Sequence, residues 1–374
     1  MTPFSLPTHI QFKDPIQAKA ILTQQVHSAK SILFLTVEEA HRLQLFELIQ
    51  GWCDEGLIWI QTIPEKLSVS TIQDIINPLI GLSIESIVAI GDLNAIILAK
   101  VIAWLLPRIQ SETDLSELNL ILRQAKAETD PKPITTLAIP TDFSPRGALS
   151  FRIEVEDDLA LIEIEDPACA VTSALIVNDW MDAQSKESIL KAGYMGLSQA
   201  AEAYWATSTG PFIQSLSIQS IKLIIRSLPV VLANPNQKDA LQALLVGCLQ
   251  ATLAQNNTKV GAIHGLALAI SQRSSMNLSV ASALTLPDFL KLNLGYLTHP
   301  ENLYEAFNIN NPQELRSWLE KTATGVFPMS LAKVGLNEKA LGPLAQQALS
   351  YGHPELNPVL LTSEMIREFL KLHL

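Results

Sequence analysis

The hydrophobic positions of this chain change their spacing near its middle. Up to about residue 180, runs that are apolar at successive positions (31–37, 57–63, 86–90 and 135–139) alternate with segments 16–27, 38–52 and 93–106, whose apolar residues recur every three to four positions. A run apolar on both faces is a strand of a buried parallel sheet, and a three-to-four spacing is one face of a helix. The alternation predicts a βαβ series of the nucleotide-binding kind. Further strands are predicted at 149–156, 159–165 and 173–177, the first two forming a hairpin that turns at Asp157-Asp158.

From residue 185 onward the strand signals stop. Segments 187–206, 213–228, 237–254, 260–271 and 278–286 all carry helical spacing, with Pro211, Pro229, Pro235 and Pro287 as punctuation. The fold class is therefore an α/β domain with a parallel sheet, residues 1–182, followed by an all-α domain, residues 183–374. A chain of 374 residues has the length for two such domains.

Composition narrows the partners. Hydrophobic residues make up 48% and charged residues 17%, which predicts a large core rather than a disordered scaffold. The net charge of −11 disfavours nucleic acid and anionic lipid, and the densest cationic stretch (Arg123, Lys126, Lys132) is interleaved with Glu117, Glu128 and Asp130. Cys53, Cys169 and Cys248 form no CxxC pair and leave one over from any disulfide, as in a reducing compartment. The N-terminal residues have no leader pattern, and 83–108, the most apolar long stretch read in the sequence, is broken by Glu85, Asp92, Asn94 and Lys100. A cytoplasmic protein with neither nucleic acid nor membrane as partner is expected.

Local sequence adds a family. Ser86-Ile-Val-Ala-Ile-Gly91 followed by Ala99-Lys100, Leu137-Ala-Ile-Pro-Thr141, Gly193 to Tyr204 ending in Ala-Glu-Ala-Tyr, Ile224-Ile-Arg-Ser-Leu-Pro229 and Val260-Gly-Ala-Ile-His-Gly-Leu-Ala267 occur in one order. Phe4 to Phe12 reads as an opening strand, and 357–370 as a closing helix with Thr362 as N-cap and Glu364 in its first turn. In order and spacing the chain resembles the iron-containing alcohol dehydrogenases of the dehydroquinate-synthase-like superfamily, over nearly its whole length.

The resemblance implies a divalent metal held by an aspartate and a histidine one helical turn apart and by two later histidines, acting as a Lewis acid on the alcohol oxygen. Those positions are Met195, Gln199, His264 and Leu278 here, and a further histidine credited with proton relay falls at Leu268. Only His264 keeps its type. A thioether and a neutral amide are poor partners for a hard divalent ion, so neither iron nor zinc is expected. His264 reads either as a core histidine or as a general acid or base.

The resemblance also implies a glycine-rich turn that admits the diphosphate of NAD(P) to a helix N-terminus. That turn is Gly91-Asp92-Leu93-Asn94 here, with Ile97 in place of an aspartate before Ala99-Lys100, and Asp92 puts negative charge where diphosphate would lie. The cofactor-wrapping loop is Asp142-Phe-Ser-Pro-Arg-Gly147, whose Arg146 reads either as a surface residue or as a carboxylate or phosphate contact. Val37 replaces the acidic reader of the adenosine ribose, with Glu38 beside it. Trp180 and Trp205 read either as core or as pocket lining, and no GxSxG elbow or P-loop is present.

The resemblance implies a homodimer, and the altered positions predict that it lacks the standard metal-dependent dehydrogenase activity and a cofactor. It would be a ligand-binding pseudoenzyme, or a metal-free enzyme acting on an unknown small molecule in an interdomain cleft. Two alternatives stand beside that reading: an NAD(P)-dependent oxidoreductase on a small alcohol or aldehyde with rearranged contacts and His264 as proton donor, and a non-catalytic partner of an active homologue.

Overall fold

The structure, a computed structural model, describes residues 4–28, 31–36, 45, 49–52, 58–60, 63–64, 67–109, 117–124, 131–142, 146–157, 161–181 and 185–374. The chain divides into two compact units, Leu6–Asp182 and a second made of Met1–Ser5 with Ala183–Leu374.

The first unit is built on the predicted sheet. Strands β1 (His9–Phe12), β2 (Ile32–Thr36), β3 (Ile58–Ile60), β4 (Ser86–Gly91), β5 (Thr135–Pro140) and β8 (Ser173–Ile176) lie in the order β1-β8-β5-β4-β2-β3, with every pairing parallel. Alternate residues explain the unbroken apolar runs. Ile32, Phe34, Val88, Ile90, Leu137, Ile139 and Leu175 pack with Ala18 and Leu22 of helix α1 (Pro15–Ser28), while Leu33, Leu35, Ile87 and Ala89 are equally buried between them. Helix α2 (Val69–Ile76) is capped by Ser68, and helix α3 (Leu93–Leu105) lies against β4 and β5. Helix α4 (Leu118–Gln124) follows.

Strands β6 (Arg152–Glu156) and β7 (Leu161–Glu165) form the expected hairpin as a separate antiparallel sheet, in which Arg152 and Glu163 pair. A helical turn at Arg146–Leu149 takes the first residue expected of that strand, which begins at Arg152. Most of the helix expected at 38–52, residues Val37 and Glu38, Cys53 and Asp158 lie outside the described residues.

The second unit is helical: α5 (Lys186–Trp205), α6 (Pro211–Ala233), α7 (Lys238–Asn256), α8 (Ala262–Arg273), α9 (Leu278–Asn293), α10 (Pro300–Phe307), α11 (Pro312–Ala323), α12 (Glu338–Ala348) and α13 (Ser363–Lys371). Thr362 caps α13 through Met365 N, and Glu364 sits in its first turn, as expected. Two prolines expected to end helices lie inside them: Pro229 in α6 and Pro287 in α9. A proline costs one backbone hydrogen bond, and the turns beyond it hold because Val231, Phe289 and Leu290 are fully buried.

Phe4 and Ser5 are not part of an opening strand. The Ser5 main chain exchanges hydrogen bonds with the Asn257 side chain (2.6 and 3.1 Å), and the Phe4 ring meets Phe212 edge-on at 4.7 Å. By length and composition α6 is apolar enough to cross a membrane, although Lys222 and Arg226 interrupt it. Its Ser217, Ile221, Ile224 and Leu228 are buried, and it packs on α5 and α7, as a core helix does.

Helix α8 crosses the turn after α12 with no spare space. A Cβ on Gly265 would lie 2.5 Å from the Tyr351 carbonyl oxygen and 2.8 Å from that of Ala348. Gly265→Ala is therefore expected to destabilise the protein by about 1–3 kcal/mol in a denaturant titration, despite alanine's better helix propensity. A neutral or stabilising result would show that this contact relaxes freely.

Candidate functional site

In the α/β unit, strands β3 and β2 run to one side and β4, β5 and β8 to the other, so the chain reverses its direction across the sheet between β2 and β4. In a parallel sheet, the crevice outside the carboxyl ends of such a pair is where ligands sit. Strand β4 ends there at Gly91, whose carbonyl accepts from Thr141 N at 2.9 Å and so ties the end of β5 to that of β4. Helix α3 begins two residues later. Asp92 is its N-cap, accepting from Ala95 N at 3.1 Å, and Asp142 Oδ2 accepts from Leu93 N at 3.4 Å. Two carboxylates thus meet the first amides of α3, where the helix carries positive potential.

The structure brings Gly91, Asp92, Asn94 and Asp142 to this end of α3 and places Lys100 elsewhere. Lys100 is 2% exposed, and its ammonium donates to the carbonyls of Ser150 (2.8 Å) and Arg152 (2.5 Å), fastening α3 to the start of β6. Phe143 and Pro145, and the side chain of Arg146, lie outside the described residues.

In the helical unit, Met195 and Gln199 lie one turn apart on α5, His264 and Leu268 one turn apart on α8, and Leu278 opens α9; α5, α8 and α9 pack on one another. Met195, Gln199, His264 and Leu268 are buried and Leu278 half-buried. Gln199 sits in a polar thread. Its Nε2 donates to Gln255 Oε1 at 2.9 Å and its Oε1 accepts from Thr252 Oγ1 at 3.3 Å. Gln255 Nε2 donates in turn to Glu202 Oε2 at 3.4 Å, and Glu202 Oε1 accepts from Ile263 N at 2.6 Å, in the first turn of α8. Glycine at 261 makes room, since a Cβ there would lie 2.6 Å from that same Oε1.

Both ends of the Gln199 amide are therefore committed to protein partners. Among the described residues no group of three or more His, Cys, Asp or Glu could hold a metal ion. Met195, Gln199, His264 and Leu278 do not fit a hard divalent ion, since one imidazole is the only strong ligand among them.

Glu202, Gln255 and Thr252 escaped the sequence reading. Glu202 stood there only as part of a motif, and its partners lie 53 and 61 positions away. The available signal was an acidic residue one turn from Gln199, together with a glycine directly before a helix.

Thiol chemistry belongs to neither site. Burial pushes the thiols of Cys169 and Cys248 up to about 12, so neither is a thiolate at neutral pH.

A family model described as the Fe-containing alcohol dehydrogenase family, C-terminal, matches residues 189–374. The 1,3-propanediol dehydrogenase of Klebsiella pneumoniae is 27% identical over 49% of this chain and 50% of its own length. The NAD-dependent methanol dehydrogenase of Bacillus methanolicus is 22% identical over 64% of this chain and 66% of its own. The matched part of the chain thus spans half to two thirds of these relatives' length. Among solved structures, the sulfoacetaldehyde reductase from Bifidobacterium kashiwanohense in complex with NAD+ superposes with a TM-score of 0.85 at 17% identity, covering 100% of this chain and 98% of that one, which shows the fold.

These matches correct two expectations. The reading as a pseudoenzyme or metal-free repurposed enzyme is overturned by relatives that are dehydrogenases, and nothing among them points to a non-catalytic protein. The expectation of no cofactor, with no iron or zinc, falls with it, because the relatives are NAD-dependent and iron-containing dehydrogenases. The physical reason lies in how the losses were counted. A parallel sheet offers a dinucleotide strand ends and backbone amides, which side-chain substitutions leave in place.

Two outcomes are expected. Glu202→Ala leaves the Ile263 amide and the Gln255 side chain without their acceptor and should cost about 2 kcal/mol or more in denaturant stability, whereas Glu202→Gln, which keeps an oxygen acceptor, should cost less. Equal losses would mean that the carboxylate's hydrogen bonds are not what matters. Iodoacetamide at pH 7.5 should leave Cys169 and Cys248 unmodified in the native protein and label both after unfolding, as read by peptide mass spectrometry; native labelling of either would contradict their burial.

Proposed function

The chain belongs to the Fe-containing alcohol dehydrogenase family, and from that premise we propose that it is an NAD(P)-dependent oxidoreductase acting on a small alcohol or aldehyde through rearranged contacts. The observation that carries this reading is the reversal between β2 and β4, with Gly91 at the strand end and the α3 N-terminus beside it. Bound there, the nicotinamide cofactor would accept or supply a hydride at the substrate carbon. Gly91 has no side chain to hold a diphosphate away, and Asn94 in the first turn of α3 offers an amide to it. Asp92 and Asp142 already complement the first amides of α3, so the diphosphate shares that end with two carboxylates and binds more weakly than at an open helix N-terminus.

In this proposal the proton partner is His264, whose imidazole can take a proton from the alcohol oxygen during oxidation and return it during aldehyde reduction. Glu202 bonds the amide immediately before it and so fixes its backbone. A cytoplasmic setting, in keeping with three cysteines that form no CxxC pair, and a homodimer, which rests on the family resemblance alone, belong to the same proposal.

The test is fluorescence titration with NADH and NADPH, followed by assay against short aldehydes. Saturable binding with oxidation of the reduced cofactor is expected, and no binding of either at millimolar concentration would end the proposal. His264→Gln should lower kcat about 100-fold or more while leaving NADH affinity unchanged. Asp92→Asn keeps the cap and removes a charge, so NADH should bind roughly fivefold tighter, the equivalent of about 1 kcal/mol of repulsion. Unchanged affinity would place the diphosphate away from α3.

A further inference from the structure

The helical unit contains a cavity that the proposed reaction does not use. It has a volume of about 680 Å³ and is lined by the second half of α9, the start of α11, Met329 and Ser330, and residues 372–374. Three of its lining side chains form a cluster. Asp288 Oδ1 accepts from Arg316 Nη2 at 2.6 Å, Asp288 Oδ2 lies 2.7 Å from His373 Nε2, and Arg316 Nη1 lies 3.0 Å from His373 Nδ1. Arginine only donates, so Nδ1 is the acceptor and Nε2–H the donor to Asp288. His373 therefore has both nitrogens committed and cannot activate Ser330, which rules out a Ser-His-Asp nucleophile here.

What the cluster achieves is to hold a guanidinium still. Arg316 is buried to 17% side-chain exposure and fixed by two partners, while its other N–H donors have none among the described residues. Lys291, in the last turn of α9, lines the same cavity, and its ammonium also has no partner among the described residues. A fixed planar fork with a second cation nearby is the pattern that recognises a carboxylate. Pro287, Pro312, Met329 and Leu372 supply apolar wall for a carbon skeleton. Glu320, exposed on α11 one turn beyond Arg316, adds negative charge that counts against polyphosphates and other polyanions.

We propose that this cavity binds a small organic carboxylate, with Arg316 as its bidentate partner and Lys291 as its second contact. The proposal is independent of the dinucleotide reading and stands or falls apart from it. The experiment is isothermal titration of the full chain with succinate and, separately, with inorganic phosphate, at ionic strength held constant with chloride. Succinate should bind saturably with a millimolar or lower Kd and more tightly than phosphate. Lys291→Gln, at an exposed position, should fold with an unchanged melting temperature and bind succinate roughly fivefold more weakly, the upper range for an exposed ion pair. Arg316→Lys should abolish the binding where it folds. The proposal is overturned by no saturable succinate binding, by phosphate binding as tight as succinate, or by identical succinate affinity in Lys291→Gln, which would place the carboxylate elsewhere.

Discussion

The helical unit is organised around a carboxylate set against a helix end with no room to spare. Glu202 is buried, and a charge in that setting is tolerable only where donors converge on it. The first turn of α8 supplies one at 2.6 Å, Gln255 supplies another, and glycine at 261 leaves the space. Through Gln255 and Gln199 the same thread reaches α7 and α5, so three helices share one polar seam. His264 follows the bonded amide directly. The placement of the residue best suited to proton transfer thus depends on neighbours that perform no chemistry.

The two helix N-termini that matter most here are both met by the chain's own carboxylates, with different consequences. At α8 the acceptor is buried and sterically locked, which makes it structural. At α3 the carboxylates of Asp92 and Asp142 are half-buried, so water screens them. At both ends the helix amides are met by carboxylates, and only the degree of burial differs.

The sheet was legible because its strands are buried on both faces, which leaves unbroken apolar runs such as 86–90. The helical half was legible from its three-to-four spacing, apart from Pro229 and Pro287, where burial of the following turn outweighs a local penalty no spacing reveals. The resemblance assigned the metal to four positions that lie on α5, α8 and α9. The partners of Gln199 were not legible, because Gln255 and Thr252 lie on another helix and side-chain partnership over such separations leaves no periodic trace. Lys100 illustrates the same limit from the other side. It stands in a cofactor motif, yet its ammonium is spent on the carbonyls of Ser150 and Arg152. Most consequential was the assumption that lost side chains mean lost chemistry, since strand ends and helix amides carry much of dinucleotide recognition and are invisible to such a count.

Phe4 and Ser5 belong with the unit whose remaining residues begin at Ala183. The α/β unit is continuous in sequence, so it can complete itself while the rest of the chain is still being synthesised. The helical unit cannot: Phe4 and Ser5 are made before the α/β unit and must wait for Phe212 and Asn257 to emerge. A gene cut at the apparent domain boundary would yield a helical fragment missing an aromatic contact and two hydrogen bonds, although every one of its helices was present.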